Sequence, residues 1–199
     1  MDTNQKIERS ENMRKERLAK RGIAAGVVVL LLSLLMGTQA YAYTLHYWKM
    51  DTSIWYRASY LFGDETREGF RSRMSAWNQY LPEWRRLCYD ANVHYDSGYP
   101  SRDGRNQIYK EPMAASKTGA ENKVWYDQIG SMLYVRESDI NLNWNVSWTN
   151  GYDPSRVDTQ TVMVHELGHT VGLHHSEHRW AVMFEETYAG YLNRDLTSD

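Results

Sequence analysis

The chain has 199 residues, an apolar fraction of 42% and a formal net charge of -2. This length and composition predict one globular domain that can build its own hydrophobic core. They lack the strongly basic balance that is typical of nucleic-acid-binding proteins, so we expect no nucleic-acid partner.

The first 42 residues resemble an export signal. Seven Lys or Arg side chains lie within residues 1–22, an apolar stretch follows at 23–36, and the small residues Ala40 and Ala42 come next. A basic region, an apolar region and a small-x-small pair are the parts of a cleavable signal peptide, so we expect cleavage after Ala42.

An uncut signal anchor is the alternative. Residues 23–42 are about long enough to span a bilayer, and their basic flank would then stay in the cytoplasm. In both cases the domain, residues 43–199, is expected outside the cytoplasm. It is either secreted or, if residues 23–42 stay uncleaved, anchored to the membrane.

The predicted elements begin with a strand over 54–58, followed by a helix over 64–80 with Asp64 at its N-cap. Apolar residues at three- and four-residue steps, such as Phe70 and Met74, indicate that helix. Further strands are predicted at 92–96, 106–110, 131–136 and 139–145, with polar loops at 97–104, 111–123 and 149–156. Asp158 is the expected N-cap of a second helix. Strands with one early and one late helix predict an α+β domain.

The segment that carries the chemistry reads HELGHTVGLHH and begins at His165. Residues four apart share one face of a helix, so His165 and His169 can bind one ion. Gly172 permits a turn that brings His175 to the same ion as a third ligand. Three neutral imidazoles with an open fourth position are typical of catalytic zinc. Glu166 lies beside them as the predicted general base for hydrolysis of a peptide bond.

The remaining histidines are not predicted as ligands. His174 is out of phase for the metal and is expected to be exposed, and His178 is expected to be solvated. His46 and His94 are isolated in the sequence, so we expect no second zinc site. The single cysteine, Cys88, cannot form an intrachain disulfide and is expected to be a buried small hydrophobe.

This histidine pattern resembles the metzincin signature. Ser176 after the third histidine is similar to the matrixin branch, the matrix metalloproteinases and their bacterial relatives. The segment 181–184, Ala-Val-Met-Phe, is similar to the matrixin Met-turn. The resemblance implies a twisted, mostly parallel sheet of about five strands, an early long helix, a zinc-binding active-site helix and a Met-turn. It places Met183 beneath the zinc as a hydrophobic floor.

The sequence also departs from the matrixin pattern. Glu185-Glu186-Thr187-Tyr188 stands where matrixins carry Pro-x-Tyr, which leaves the substrate preference open. No cysteine precedes Cys88, and residues 1–42 are mostly signal-like, so we expect no folded pro-domain. Carboxylate-rich calcium loops are not recognisable, so a need for Ca²⁺ is left open.

The leading prediction is therefore a secreted, monomeric zinc endopeptidase that acts on polypeptides, either broadly or on one narrow substrate. A catalytically idle binding module that keeps zinc only to stabilise its fold is the alternative. Glu166 argues against it, because a structural zinc site does not need that carboxylate. An extended substrate is expected to pair with an edge strand, and 131–136 is the predicted edge.

Overall fold

A computed structural model describes residues 48–97, 100–113 and 119–196. The predicted signal segment, its cleavage site and His46 lie outside the described residues. Within the described ranges, no helix is long and apolar enough to cross a membrane.

The described residues form eight strands and two helices. In chain order these are β1 (Trp48–Lys49), β2 (Ile54–Ala58), α1 (Asp64–Asn78), β3 (Leu87–Tyr89), β4 (Asn106–Glu111), β5 (Ala120–Ile129), β6 (Met132–Asn143), β7 (Trp148–Thr149), β8 (Val157–Asp158) and α2 (Thr159–Val171).

Six of these strands form one sheet. Its order is β3-β2-β4-β6-β5, and β1 also pairs with β6, next to its N-terminal part. Every pairing in this sheet is parallel except that of β5 with β6. The strands β7 and β8 form a separate parallel pair. The expected α+β architecture with a mostly parallel sheet is confirmed, with one strand more than the five expected.

The prediction that residues 131–136 form the edge strand is wrong. Residues 132–136 belong to β6, which pairs with β5 along one side and with β1 at Leu133 and Tyr134. Among the described residues β5 pairs only with β6, so β5 is an edge strand, and β3 lies at the opposite edge of the sheet. The sequence prediction placed residues 120–123 of β5 in a polar loop and assigned no element to 124–129, because the half-exposed residues of this strand show no apolar alternation.

Other element boundaries also differ from the predictions. The strands expected at 131–136 and 139–145 are one continuous strand, β6. The strand expected at 92–96 is reduced to a single bridge between His94 and Ser59, and β3 pairs with β2 instead. Helix α1 begins at Asp64, but its N-cap is Gly63, so Asp64 lies in the first turn. The strands predicted at 54–58 and 106–110 are confirmed as β2 and β4.

The core holds α2 in place through apolar side chains and through a hydrogen bond from α1 to the backbone of α2. Met163 and Leu167 of α2 are fully buried, as are Phe70 and Met74 of α1. The indole Nε1 of Trp77 donates to the carbonyl of Val164 at 2.8 Å. Each fully buried large apolar side chain stabilises the fold by roughly 1.5–3 kcal/mol. Packing against α1 and the sheet therefore fixes the position of α2.

Candidate metal centre

Helix α2 has well-defined ends. The carboxylate of Asp158 accepts from the backbone N–H of Thr161 at 2.8 Å, which confirms the predicted N-cap. The helix ends at Gly172, whose φ of 103° lies in the left-handed region. A Cβ on Gly172 would also lie only 2.8 Å from the carbonyl oxygen of Trp48. Glycine is therefore required at this turn for its backbone conformation and for space.

The turn after Gly172 brings three histidines together. His165 and His169 lie one turn apart on α2, and their Nε2 atoms are 3.2 Å apart. The ring centroid of His175 lies 5.2 Å from that of His165 and 4.9 Å from that of His169. One potential ligand atom from each of the three side chains lies within 4.8 Å of the others. The structure thus gathers the three predicted ligands at one point.

Backbone carbonyls fix the orientation of two of these rings. His165 Nδ1 lies 2.9 Å from the carbonyl oxygen of Val182, and His169 Nδ1 lies 2.8 Å from that of Leu173. A carbonyl oxygen only accepts, so each Nδ1 carries the proton and donates it. Each Nε2 is then an unprotonated nitrogen, which is the form that binds a metal ion.

The Nε2 separation fits a zinc ion. Nitrogen ligands at 2.0–2.1 Å from a tetrahedral ion lie about 3.3–3.4 Å apart, close to the 3.2 Å between His165 Nε2 and His169 Nε2. Two unprotonated nitrogens this close repel each other unless a cation lies between them. Burial, together with the neighbouring imidazoles, lowers the pKa of His165 to about 3 and that of His169 to about 4. Both rings therefore stay neutral at pH 7.

Glu166 follows His165 on α2. Both residues line one cavity, which is described below. The residue is only 6% exposed, and no described residue hydrogen-bonds its carboxylate. Burial raises the pKa of Glu166 to about 8, and the charge of Glu121 on β5 adds to this effect. A dication held by the adjacent histidines would lower that pKa by favouring the carboxylate.

The segment 181–184 packs against the middle of α2. The backbone N–H of Ser176 donates to the carbonyl of Met183 at 2.8 Å, and Met183 is fully buried. The sulfur of Met183 lies against Gly168 so closely that a Cβ there would overlap it. Val182, whose carbonyl orients His165, belongs to the same segment. The predicted Met-turn segment is thus in contact with the metal-site helix.

A cavity of about 530 Å³ opens beside the histidines. It is lined by the site residues His165, Glu166 and His175, by Val162 of α2, by Gly119 and Ala120 at the start of β5, and by Glu185, Glu186, Thr187 and Tyr188. The edge strand and the segment after the Met-turn therefore form walls of a cleft that contains the three imidazoles.

The comparisons with known proteins agree with this geometry. Residues 126–199, which include α2, the three histidines and Met183, match the family model described as Matrixin. The chain contains a matrixin-like metalloprotease domain. A search of the curated proteins found no match. Matrixins use a catalytic zinc ion, and the three-histidine group of this domain fits a zinc site. The domain is a zinc metalloendopeptidase, which acts on polypeptides.

A buried polar network lies behind the metal centre, and the sequence analysis missed it. Asn122 Nδ2 donates to the carbonyl of Glu166 at 2.6 Å and to Thr170 Oγ1 at 2.8 Å. Ser138 Oγ donates to Asn122 Oδ1, and the hydroxyl of Tyr56 donates to Ser138 Oγ at 2.7 Å. This network connects β5, β6 and β2 to α2 directly behind Glu166. Single polar residues in separate strands have no recognisable spacing, so no sequence pattern indicated it.

The other histidines of the matrixin-like domain lie outside the metal centre. His174 is exposed, as expected, whereas His178 is half-buried and stacks on Trp180 with ring centroids 5.4 Å apart. His94 is buried, with its Nε2 3.1 Å from the carbonyl oxygen of Ile108. Across the described ranges, the only group of three or more His, Cys, Asp or Glu side chains placed to hold a metal is the one described above. Cys88 is half-buried in β3 rather than fully buried.

Proposed function

We propose that this chain is a secreted zinc endopeptidase in which His165, His169 and His175 hold the ion and Glu166 is the general base. The observation that carries the proposal is the convergence of two unprotonated Nε2 atoms, 3.2 Å apart, in a cavity also lined by Glu166. Secretion is supported by the signal-like pattern of residues 1–42.

Zinc, when bound, supplies Lewis acidity, which makes water more acidic and polarises a substrate carbonyl. Glu166 takes a proton from the attacking water and delivers it to the departing amine. Its position favours both transfers, because it adjoins a ligand histidine and is sheltered from bulk solvent. No described side chain competes for its carboxylate oxygens.

The edge strand β5 supports binding of an extended polypeptide. Its first residue, Ala120, lines the same cavity as Glu166 and His175. A substrate strand added to β5 forms main-chain hydrogen bonds and passes the three imidazoles. The network through Asn122 holds β5 and α2 at a fixed separation, which orders this cleft before substrate binds.

The test is the substitution Glu166→Gln in the purified protein. The change keeps the size of the side chain but removes the base, and Glu166 is not a proposed ligand, so zinc content and melting temperature should stay the same. Cleavage of a random peptide library should be abolished by a zinc chelator in the wild type. In the variant, kcat/KM should fall by at least about 10²-fold.

A matched control is Glu177→Gln, which removes an exposed carboxylate outside the cavity. This variant should cleave as the wild type does. An idle binding module gives a different result, with no chelator-sensitive cleavage by the wild type. If Glu166→Gln and the wild type cleave equally well, the role proposed for Glu166 is wrong.

A further inference from the structure

Two acidic residues directly after the Met-turn form part of the wall of the substrate cavity. The side chains of Glu185 and Glu186 are exposed, and neither forms an ion pair or hydrogen bond with another described residue. Glu166 contributes a third carboxylate to the same cavity, 94% buried and without a hydrogen-bond partner among the described residues. Glu185 and Glu186 therefore have no cationic partner among the described residues.

The rest of the lining favours a long side chain over a metal ion. No described lysine or arginine lines the cavity, whereas Val162 and Tyr188 provide apolar surface. The ring of Tyr188 is exposed and lies 5.0 Å from that of Tyr191, centroid to centroid. Glu185 and Glu186 do not belong to a group of potential ligands that could hold a metal in the described residues.

We propose that this cavity binds a lysine or arginine side chain of the substrate, in a residue next to the bond that is cut. This proposal rests on the proposed function, since it assumes cleavage at the histidine site. The aliphatic stem of such a side chain packs on Val162 and Tyr188, while its cationic head lies near Glu185 and Glu186. The aromatic ring of Tyr188 adds a favourable contact with the cation.

The same carboxylates select against other side chains. An apolar side chain in the cavity removes water from two carboxylates without supplying a partner, which costs free energy. An acidic side chain is repelled by both. The predicted substrates are therefore basic polypeptides, and the residues at 185 and 186 determine that preference.

The first experiment maps the cut sites. The full-length protein is incubated with a random peptide library, and the products are sequenced by mass spectrometry. Lysine and arginine should be enriched at one position flanking the cut. Peptides that differ only there are then compared, with Lys, Arg, norleucine or Glu at that position. The kcat/KM for Lys should exceed that for norleucine by about tenfold or more at low salt, and the ratio should shrink in 1 M salt because exposed charges are screened.

Charge variants then assign the preference to these two residues. In the double variant Glu185→Gln/Glu186→Gln, the Lys-to-norleucine ratio should fall towards one. The double variant Glu185→Lys/Glu186→Lys should prefer the Glu peptide over the Lys peptide. The control Glu65→Gln/Glu83→Gln removes the same number of exposed charges outside the cavity and should keep the wild-type ratio.

The outcomes separate this proposal from the proposed function. If cut sites carry apolar residues on both sides, or if Glu185→Gln/Glu186→Gln leaves the Lys-to-norleucine ratio unchanged, the acidic cavity does not select the substrate. Chelator-sensitive cleavage in that experiment still supports the endopeptidase. If no peptide is cut in a chelator-sensitive manner, the proposed function itself fails.

Discussion

At the scale of single residues, the adjacent residues His174 and His175 have identical side chains but different neighbours. Only His175 has its ring within about 5 Å of both His165 and His169, as the centroid distances of 5.2 and 4.9 Å show. Both side chains are exposed, but His174 is not part of the three-histidine group. One residue of difference in the turn after Gly172 therefore decides which imidazole reaches the site.

This difference gives a prediction for metal binding. His175→Ala should lose stably bound zinc after dialysis, because two imidazoles alone hold the ion weakly. His174→Ala should keep one zinc ion per chain, measured by elemental analysis. The ligand assignment is wrong if the two variants behave the other way round.

The residue scale also shows what the sequence could reveal about the site. The spacing of His165, His169 and Gly172 follows from helix geometry, so the three-histidine site was predictable. The acceptors that fix the rings, the carbonyls of Val182 and Leu173, were not predictable. They are backbone atoms, which every residue type has, and only the folded chain brings them to the imidazoles.

At the scale of elements, the contact between α2 and the Met-turn segment depends on Gly168. A Cβ at this position would overlap the sulfur of Met183 and lie 3.1 Å from Cζ2 of Trp77. Residues 161–168 of α2 are all buried, so the helix backbone has little room to move away from this contact. Met183 is fully buried, so its side chain would have to repack, and any shift of its backbone would carry along the neighbouring Val182 carbonyl that orients His165.

We expect Gly168→Ala to lower the free energy of unfolding by about 1–3 kcal/mol, as overpacking of a core does. It should also weaken zinc binding, measured by competition with a chelator. Gly151→Ala is the matched control, because a Cβ there has no heavy atom within 4 Å. Normal zinc affinity in Gly168→Ala would show that the orientation of His165 does not depend on this contact.

The elements also explain why strand β6 was divided in the sequence prediction. Glu137 and Ser138 lie between the two predicted strands, 131–136 and 139–145, yet both are fully or almost fully buried, as is the following Asp139. Glu137 accepts from the backbone N–H of Asp103 at 3.0 Å, and Asp139 accepts from that of Gln107 at 2.9 Å. The same polar residue types occur in surface loops and in buried strands where backbone groups bind them. The sequence alone therefore could not distinguish the two.

At the scale of the whole molecule, the signal-like segment gives the remaining prediction. In an exporting host, the mature protein should begin at Tyr43 and be found in the medium. N-terminal sequencing of the purified protein, together with fractionation of the cells, measures both. A chain that keeps residues 1–42 and sediments with membranes would support the uncut anchor instead.

The contact between Trp48 and the metal-site helix has a consequence for the order of synthesis. The indole of Trp48 donates to the carbonyl of His169 across 121 residues of sequence, and β1 pairs with β6. His175 and the Met-turn segment are made after every strand of the main sheet. Contacts this distant in sequence form slowly and only after both ends are available. A growing chain therefore has no complete three-histidine site until His175 and the Met-turn segment have been made, so the metal centre forms after the sheet that supports it.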